Sequence, residues 1–222
     1  MNLQLLRESM LFRGITENEL TEALQSLQAQ EKKYRKGDTI LHAGNTTKRL
    51  GLVLDGSVTV ESNDVWGNRT ILSHIDRGQL FAETYALLEN EPLLVDVTAN
   101  EDCLILFLRI GSMRELSSSG SSWARKIVNN LLAISAHKNL MLSGRSFHTS
   151  PKTIRGRVMS YLNTVSIQKG STEFDIPFDR QQLADYLNLE RTALSKELGK
   201  MQKDGIISVK RNHFIMTGRP VD

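Results

Sequence analysis

The sequence has one cysteine, few aromatic residues and no long uninterrupted apolar stretch. The single Cys103 cannot form a disulfide within the chain, and it excludes an all-cysteine metal site or an iron–sulfur cluster. Its place in the apolar run 103–108 favours a packed thiol over a redox switch. No run approaches the ~18 apolar residues of a membrane helix, and residues 1–13 lack a signal-peptide pattern. These absences predict a soluble, cytoplasmic protein with no membrane partner.

Motifs of catalysis are also missing from the sequence. It contains no phosphate-binding loop, no Gly-x-Ser-x-Gly, no metal-ligand cluster and no Ser/His/Asp arrangement with suitable spacing. We therefore predict no catalytic residues, no metal site and no enzymatic activity.

Charge is distributed unevenly along the 222 residues, although the net charge is only +3. From Ser150 onward the chain holds 12 Lys and Arg against 8 Asp and Glu, whereas the remainder holds 16 against 17. A basic C-terminal third beside a near-neutral larger part indicates a polyanionic partner for the former. With 40% hydrophobic residues, the chain can fill the cores of two small domains.

The pattern of apolar and turn residues changes twice along the chain. Up to about Gln30 it predicts short helices, with a capping box formed by Thr16 and Glu19. From Tyr34 to about Leu108, short β-type runs alternate with glycine turns, which predicts an antiparallel barrel or sandwich. The runs are Thr39–His42, Leu50–Leu54, Ser57–Glu61, Thr70–Ile75 and Val95–Ala99.

A long helix is predicted from about Trp123 to Arg145. Apolar residues recur at alternating three- and four-residue steps, which is typical of a coiled-coil seam, although an ordinary core helix has a similar pattern. The predicted dimer contacts are Ile127, Leu131, Ile134 and Met141. Ser150-Pro151 is expected to cap the next helix, which runs through Asn163, so Phe147–Ser150 is the candidate hinge.

The strongest pattern lies between Phe178 and Ile207. It predicts a short helix, Gln181–Leu187, a tight turn at Asn188, and a second helix, Arg191–Lys203. The second helix would point Leu194, Leu198 and Met201 inward. Its outward donors suit phosphates and base edges in a major groove, and they are Arg191, Thr192, Ser195, Lys196 and Lys200.

A β-hairpin with a basic tip is predicted after Gly205, with strands Ile206–Lys210 and Phe214–Thr217. Arg211 lies in its turn, where it could contact a DNA backbone. The alternative is a structural helical hairpin with a solvated basic face. The order of helix, tight turn, helix and hairpin favours a winged helix-turn-helix.

Together these motifs resemble the CRP/FNR family of bacterial regulators over nearly the whole chain. The resemblance is carried by Gly56-Ser57-Val58, Gly78-Gln79-Leu80-Phe81-Ala82-Glu83, the long helix, Ile154-Arg155-Gly156-Arg157 and the helix-turn-helix. It implies an α+β fold with a β-roll (jelly-roll) effector domain at 1–117, a dimerisation helix at 118–146 and a winged helix at 147–222. It also implies a homodimer that binds an inverted-repeat operator in double-stranded DNA, with RNA polymerase as a further partner.

Specific DNA-contact roles follow from the resemblance. Arg191, Ser195 and Lys196 match base-reading positions, and Arg180 and Lys210 match backbone-contacting ones, to which Lys200 and Arg211 add further positive charge. Thr192 stands where cyclic-AMP-binding members have a base-reading Glu. A hydroxyl is less selective for cytosine than a carboxylate, so the operator is expected to differ at that position.

The sensor domain differs from cyclic-nucleotide binders of this type, which use a Gly-Glu pair and an Arg-Ser pair. Here Ala82-Glu83 and Leu93-Leu94 occupy those places. The missing arginine removes a charge-assisted phosphate contact, so we do not expect a cyclic nucleotide as effector. No cofactor is certain, and the predicted pocket for a small organic effector is formed by Glu83, Thr84, Tyr85, Leu93 and Leu94. A cyclic-nucleotide-responsive regulator, a vestigial β-roll without ligand, and haem on His42, His74 or His137 remain alternatives.

Overall fold

The computed structural model describes residues 3–63, 69–88, 90–110 and 120–217. Its residues fall into two compact units, 1–137 and 138–222. The long helix contributes residues to both units. Of the expected domain boundaries, the one at 117/118 lies outside the described residues, and the division as a whole stays a prediction.

The N-terminal unit begins with two helices and continues with strands. Helix α1 spans Leu3–Glu8, a 3-10 turn covers Met10–Phe12, and α2 spans Glu17–Ser26. Thr16 and Glu19 form the predicted capping box at the start of α2. The elements that follow among the described residues are β1 (Gln30–Tyr34), β2 (Thr39–Leu41), β3 (Arg49–Asp55), β4 (Val58–Asn63), β5 (Arg69–Ile75), β6 (Leu80–Phe81), α3 (Glu83–Leu88), β7 (Asp96–Ala99) and β8 (Cys103–Arg109).

The strands form two four-stranded antiparallel sheets, in the orders β1-β8-β3-β6 and β2-β7-β4-β5. This arrangement confirms the predicted β-roll. Strands β2, β3, β4, β5 and β7 match the five predicted runs to within one or two residues at each end. The sequence did not predict β1, whose four charged or polar residues precede Tyr34, or the two-residue β6.

Aromatic side chains fill part of the core between the strands. Phe81 and Phe107 meet edge to face with ring centroids 6.2 Å apart, and Cys103 is buried in the same cluster, as predicted. Phe81 also lies against Gly51, where an added Cβ would be 2.1 Å from the ring. Gly51 is therefore required because the phenyl ring occupies the space of a side chain.

The predicted dimer seam is corrected by the burial pattern of α4 (Ser122–Thr149). Ile127, Leu131 and Ile134 are buried in the hydrophobic core of their own chain, together with leucines of α1, α2, β3 and β8. Only Met141 of the four predicted contacts is exposed. The apolar repeat was identified correctly, but it faces the β-roll domain and not a second helix.

Polar residues next to this face also contact the N-terminal helices. Lys126 Nζ lies 2.7 Å from Glu19 Oε2, and Asn130 Nδ2 donates to the carbonyl oxygens of Leu11 and Arg13. The bond from Lys126, followed by that from Ser122, lowers the pKa of Glu19 to about 2. These residues therefore fix α4 to its own domain.

Leu131→Ala tests the corrected assignment. Leu131 is fully buried, so removing its side chain leaves a cavity and should lower the free energy of unfolding by about 2–5 kcal/mol. Chemical denaturation at several protein concentrations measures this loss. If Leu131 is a core residue, the loss of unfolding free energy should be the same at every protein concentration. A variant that loses stability only through weaker dimerisation would instead support the predicted dimer seam.

Up to residue 217, where the described part of the chain ends, the C-terminal unit contains three helices and a small sheet besides the end of α4. They are α5 (Ile154–Lys169), β9 (Glu173–Asp175), α6 (Arg180–Tyr186), α7 (Arg191–Lys203), β10 (Ile207–Lys210) and β11 (His213–Met216). The antiparallel sheet has the order β10-β11-β9, so the predicted hairpin gains a third strand that the sequence did not indicate.

The predicted start of the next helix is wrong, and most of the candidate hinge, 147–149, lies inside α4. Helix α4 continues through Thr149, and the Ser150 hydroxyl donates back to the Phe147 carbonyl instead of capping a new helix. The cap of α5 is Thr153, whose Oγ1 accepts from the Gly156 amide at 3.0 Å. The helix also runs six residues beyond the predicted end at Asn163, to Lys169.

Candidate nucleic-acid interface and effector site

Helices α6 and α7 form the predicted helix-turn-helix. Asp179 caps α6 in a reciprocal capping box with Gln182. Asn188 adopts the left-handed conformation, with φ of 52°, as expected for the tight turn. The bounds of α7 agree with the prediction, and Leu194, Leu198 and Met201 are buried against the other helices.

The predicted contact residues lie on the solvent side of α7. Arg191, Thr192, Ser195, Lys196 and Lys200 are all exposed. The first four share one face of the helix, because they are spaced by one, three or four residues. This face carries hydrogen-bond donors in its first two turns, as a helix that reads a major groove requires.

Thr192 has a local role that the sequence analysis missed. Glu190 is the N-cap of α7, and its carboxylate accepts from the amides of Thr192 and Ala193 and from the Thr192 hydroxyl. These bonds, led by that of the hydroxyl, lower the pKa of Glu190. The proton of the Thr192 hydroxyl is therefore already donated within the protein, which leaves the oxygen as an acceptor for a base.

The hairpin is tied to the first helix at its tip. Arg211 has a φ of 58° in the turn between β10 and β11, and its carbonyl accepts from Arg180 Nη2 at 3.5 Å. The Asn212 side chain donates to the Ile176 carbonyl at 3.1 Å. Lys210 and Arg211 are exposed, so the tip is basic, as predicted.

A histidine of the hairpin contacts two carboxylates of the neighbouring strand. His213 Nδ1 lies 2.9 Å from Asp175 Oδ1, and Nε2 lies 3.2 Å from Glu173 Oε1. The bond to Asp175 is the main cause that raises the pKa of His213. This contact holds β9 to β11 most firmly below that pKa and weakens as the pH rises through it.

In the sensor domain, the predicted effector residues do not share one environment. Glu83 is buried at the start of α3, after Ala82, which has a φ of 59°. Thr84 is exposed and Tyr85 is half-buried. A left-handed backbone conformation is unusual for alanine, and at Ala82 it sets the direction of this short helix.

Leu93 and Leu94, at the place of the Arg-Ser pair, differ in their exposure to solvent. Leu93 is 2% exposed, and its amide and carbonyl bond to the backbone of Asn45 and Gly44. Leu94 is 74% exposed, and its amide donates to the Tyr85 hydroxyl at 3.3 Å. Neither side chain can supply a positive charge to a phosphate.

An open cavity of about 470 Å³ lies elsewhere in the N-terminal unit. It was not predicted, and none of the predicted effector residues lines it. The lining residues are Arg7, Phe12, Gly14, Ile15, Thr16 and Glu17.

Comparison with known protein families matches both units. Residues 31–119 match the cyclic nucleotide-binding domain, and residues 156–219 match the Crp-like helix-turn-helix domain. In the part of the chain that the structure describes, no helix is both long and apolar enough to span a bilayer.

Similar proteins are regulators with related folds. The transcriptional activator FnrL of Cereibacter sphaeroides is 23% identical over 198 residues, which cover 84% of this chain and 76% of FnrL. The cAMP-activated global regulator Vfr of Pseudomonas aeruginosa is 23% identical over 195 residues, covering 84% and 89% of the two chains. The catabolite activator protein of Thermus thermophilus is 25% identical, with a TM-score of 0.51, over 94% of this chain and 93% of that one.

The fold, the helix-turn-helix and both domain matches define a DNA-binding transcriptional regulator with a domain of the cyclic nucleotide-binding type. The chain belongs to the CRP/FNR family, as the sequence motifs indicated. Its relatives are transcription regulators and not enzymes.

Proposed function

We propose that the protein is a homodimeric regulator that binds an inverted-repeat operator and responds to a small organic effector other than cyclic AMP. The observation that carries the DNA-binding part is the exposed, donor-rich face at the start of α7, whose opposite side is fixed in the domain core. Arg191, Ser195 and Lys196 would read bases. Arg180, Lys200, Lys210 and Arg211 would contact phosphates.

Titration of promoter DNA at several salt concentrations tests this function. Each neutralised phosphate releases counterions, so the logarithm of the binding constant should fall linearly with that of the salt concentration. Binding that is insensitive to salt would argue against a basic DNA-binding surface.

A second copy of this chain is the partner that we propose for the outer face of α4. Leu132 is 63% exposed, and Ala136, one turn later on the same face, is exposed as well. Apolar residues one turn apart on an exposed helix face form a surface that an isologous helix pair would bury symmetrically. Members of this family act as dimers, which supports the same arrangement. We propose RNA polymerase as a further partner of the bound dimer.

The effector proposal depends on the residues at the phosphate-clamp position. Leu93 and Leu94 are apolar, so the charge of a cyclic phosphate would stay uncompensated there. Glu83 is buried and, as an acidic residue, cannot supply the missing positive charge either. A neutral or cationic organic molecule suits such surroundings better.

Cyclic AMP at millimolar concentration should therefore leave both the melting temperature and the operator affinity unchanged. A ligand at ~100 times its Kd would raise stability by about 2.7 kcal/mol, which thermal-shift measurements resolve. The same screen with neutral and cationic metabolites should give a positive shift. Saturable cyclic AMP binding would favour the cyclic-nucleotide-responsive alternative, and no shift with any ligand would favour a vestigial β-roll.

A further inference from the structure

The last turns of α4 hold an arginine that contacts the turn of the helix-turn-helix. Arg145 Nε donates to the Tyr186 carbonyl at 3.0 Å, and Nη2 donates to the Asp185 carbonyl at 3.0 Å and to Asn188 Oδ1 at 3.2 Å. The guanidinium also lies over the Tyr186 ring, 5.7 Å from its centroid. All these atoms belong to the C-terminal unit.

A second arginine, from α5, completes the set of bonds. Arg157 Nη1 donates to the carbonyls of Leu187 and Asn188, at 3.1 and 3.0 Å. The two guanidinium groups thus contact four successive carbonyls at the end of α6. These are the groups that a helix end leaves unpaired, and positive charge there also complements the helix dipole.

One turn beyond Arg145, His148 makes a separate buried contact. It is 4% exposed, with Nδ1 2.9 Å from the Tyr186 hydroxyl and Nε2 2.9 Å from Thr164 Oγ1. Burial lowers the pKa of His148, so the ring is neutral near pH 7. Tyr186 is therefore contacted by two residues of α4, by Arg145 at its carbonyl and ring and by His148 at its hydroxyl.

We propose that Arg145 is a positioning residue for DNA recognition: it fastens the end of α4 to the turn that orients the recognition helix α7. The turn from Asp185 to Asn188 leads directly to the cap at Glu190 and to Arg191. A rotation of the end of α4 would pull on these carbonyls and change the orientation of Arg191. The residue therefore links the helix that reaches the sensor domain to the surface that reads bases, an inference that rests on the proposed function.

Arg145→Ala in the full chain tests the link, with operator and unrelated DNA as probes. We expect the operator affinity to fall about tenfold, a size typical of a residue that couples two elements. Binding to unrelated DNA should fall less, and the salt dependence should keep its slope, because no phosphate contact is lost. The assay temperature must lie well below the melting temperature of the variant, so that only the orientation of folded protein is compared.

Two further variants separate the positioning role of Arg145 from the effect of its positive charge and from a folding defect. Lys152→Ala removes the same charge from an exposed side chain of the same unit and should leave the ratio of operator to unrelated binding unchanged. Arg145→Lys keeps the charge but cannot reach three acceptors with a fixed fork, so it should lower that ratio in the same direction. It also serves as the test if Arg145→Ala does not fold.

The proposal is overturned if Arg145→Ala and Arg145→Lys keep the wild-type ratio. It is also overturned if affinity falls equally on all DNA with a salt slope reduced by about one unit, which would indicate a direct phosphate contact. A wild-type protein that binds no DNA would instead contradict the proposed function.

Discussion

Arg191→Ala is expected to weaken operator binding by about 1–3 kcal/mol per half-site and to relax base preference at one symmetric pair of positions. Arg191 is exposed and is the first residue of α7, where a guanidinium fork can reach guanine O6 and N7. Both effects are measured by titrating the variant with the operator and with operators substituted at each position. A dimer carries two such residues, so the total loss is large.

Lys210→Ala is the matched control for this variant. Lys210 is exposed at the end of β10, beside the hairpin turn, where we expect only a phosphate contact. Its replacement should weaken binding to all sequences alike and lower the salt slope by about one unit. If Arg191→Ala behaved in this same way, α7 would not lie in the major groove with its first turn towards the bases.

Leu132→Asp is expected to give monomers without loss of folding. The Leu132 side chain is mostly exposed, so a carboxylate there is tolerated in a single chain but is desolvated in a helix pair. A monomer cannot occupy two half-sites at once, and its apparent affinity should drop by a factor of about 10²–10⁴. Sedimentation and DNA titration on the same sample measure the two effects.

Ile134→Asp provides the contrast on the same helix. Ile134 is 7% exposed and belongs to the core of its own chain, so the charge should unfold the N-terminal unit. A folded, monomeric Ile134→Asp variant would return the dimer contact to the face first predicted. If the Leu132→Asp variant remained a dimer, the outer face of α4 would not be the dimer contact.

The helix-turn-helix could be predicted closely because its signals are local. Asn188 marks a left-handed turn, and the residues of α7 alternate between core and solvent within thirteen positions. The capping box at Thr16 and Glu19 is equally local. Such features depend on neighbouring residues alone, so they appear in the sequence itself.

The partner of the apolar face of α4 could not be predicted in the same way. A repeat of Ile127, Leu131 and Ile134 indicates that one side is buried, but it does not indicate which surface covers it. The answer depends on residues more than seventy positions away in the chain, such as Leu50 and Leu52. Long-range packing decided between a dimer seam, which the sequence pattern favoured, and a core helix.

The roles of Arg145 and His148 also needed the folded chain. Their partners at Asp185–Asn188 are about forty residues away, and two of the atoms that Arg145 contacts there are backbone carbonyls, which carry no sequence signature. By contrast, the bond from Thr192 to Glu190 is local and could have been anticipated from the acidic residue directly before α7.

Selection of bound sequences from randomised DNA, with the unmodified protein, tests the central claim most directly. A dimer of helix-turn-helix units places its recognition helices about 34 Å apart, so the selected sites should form an inverted repeat with half-site centres about one helical turn apart. Guanine should recur in each half-site at the position that Arg191→Ala relaxes. Selected sites without two-fold symmetry, or no enrichment over unrelated DNA, would contradict a dimeric regulator that reads DNA through α7.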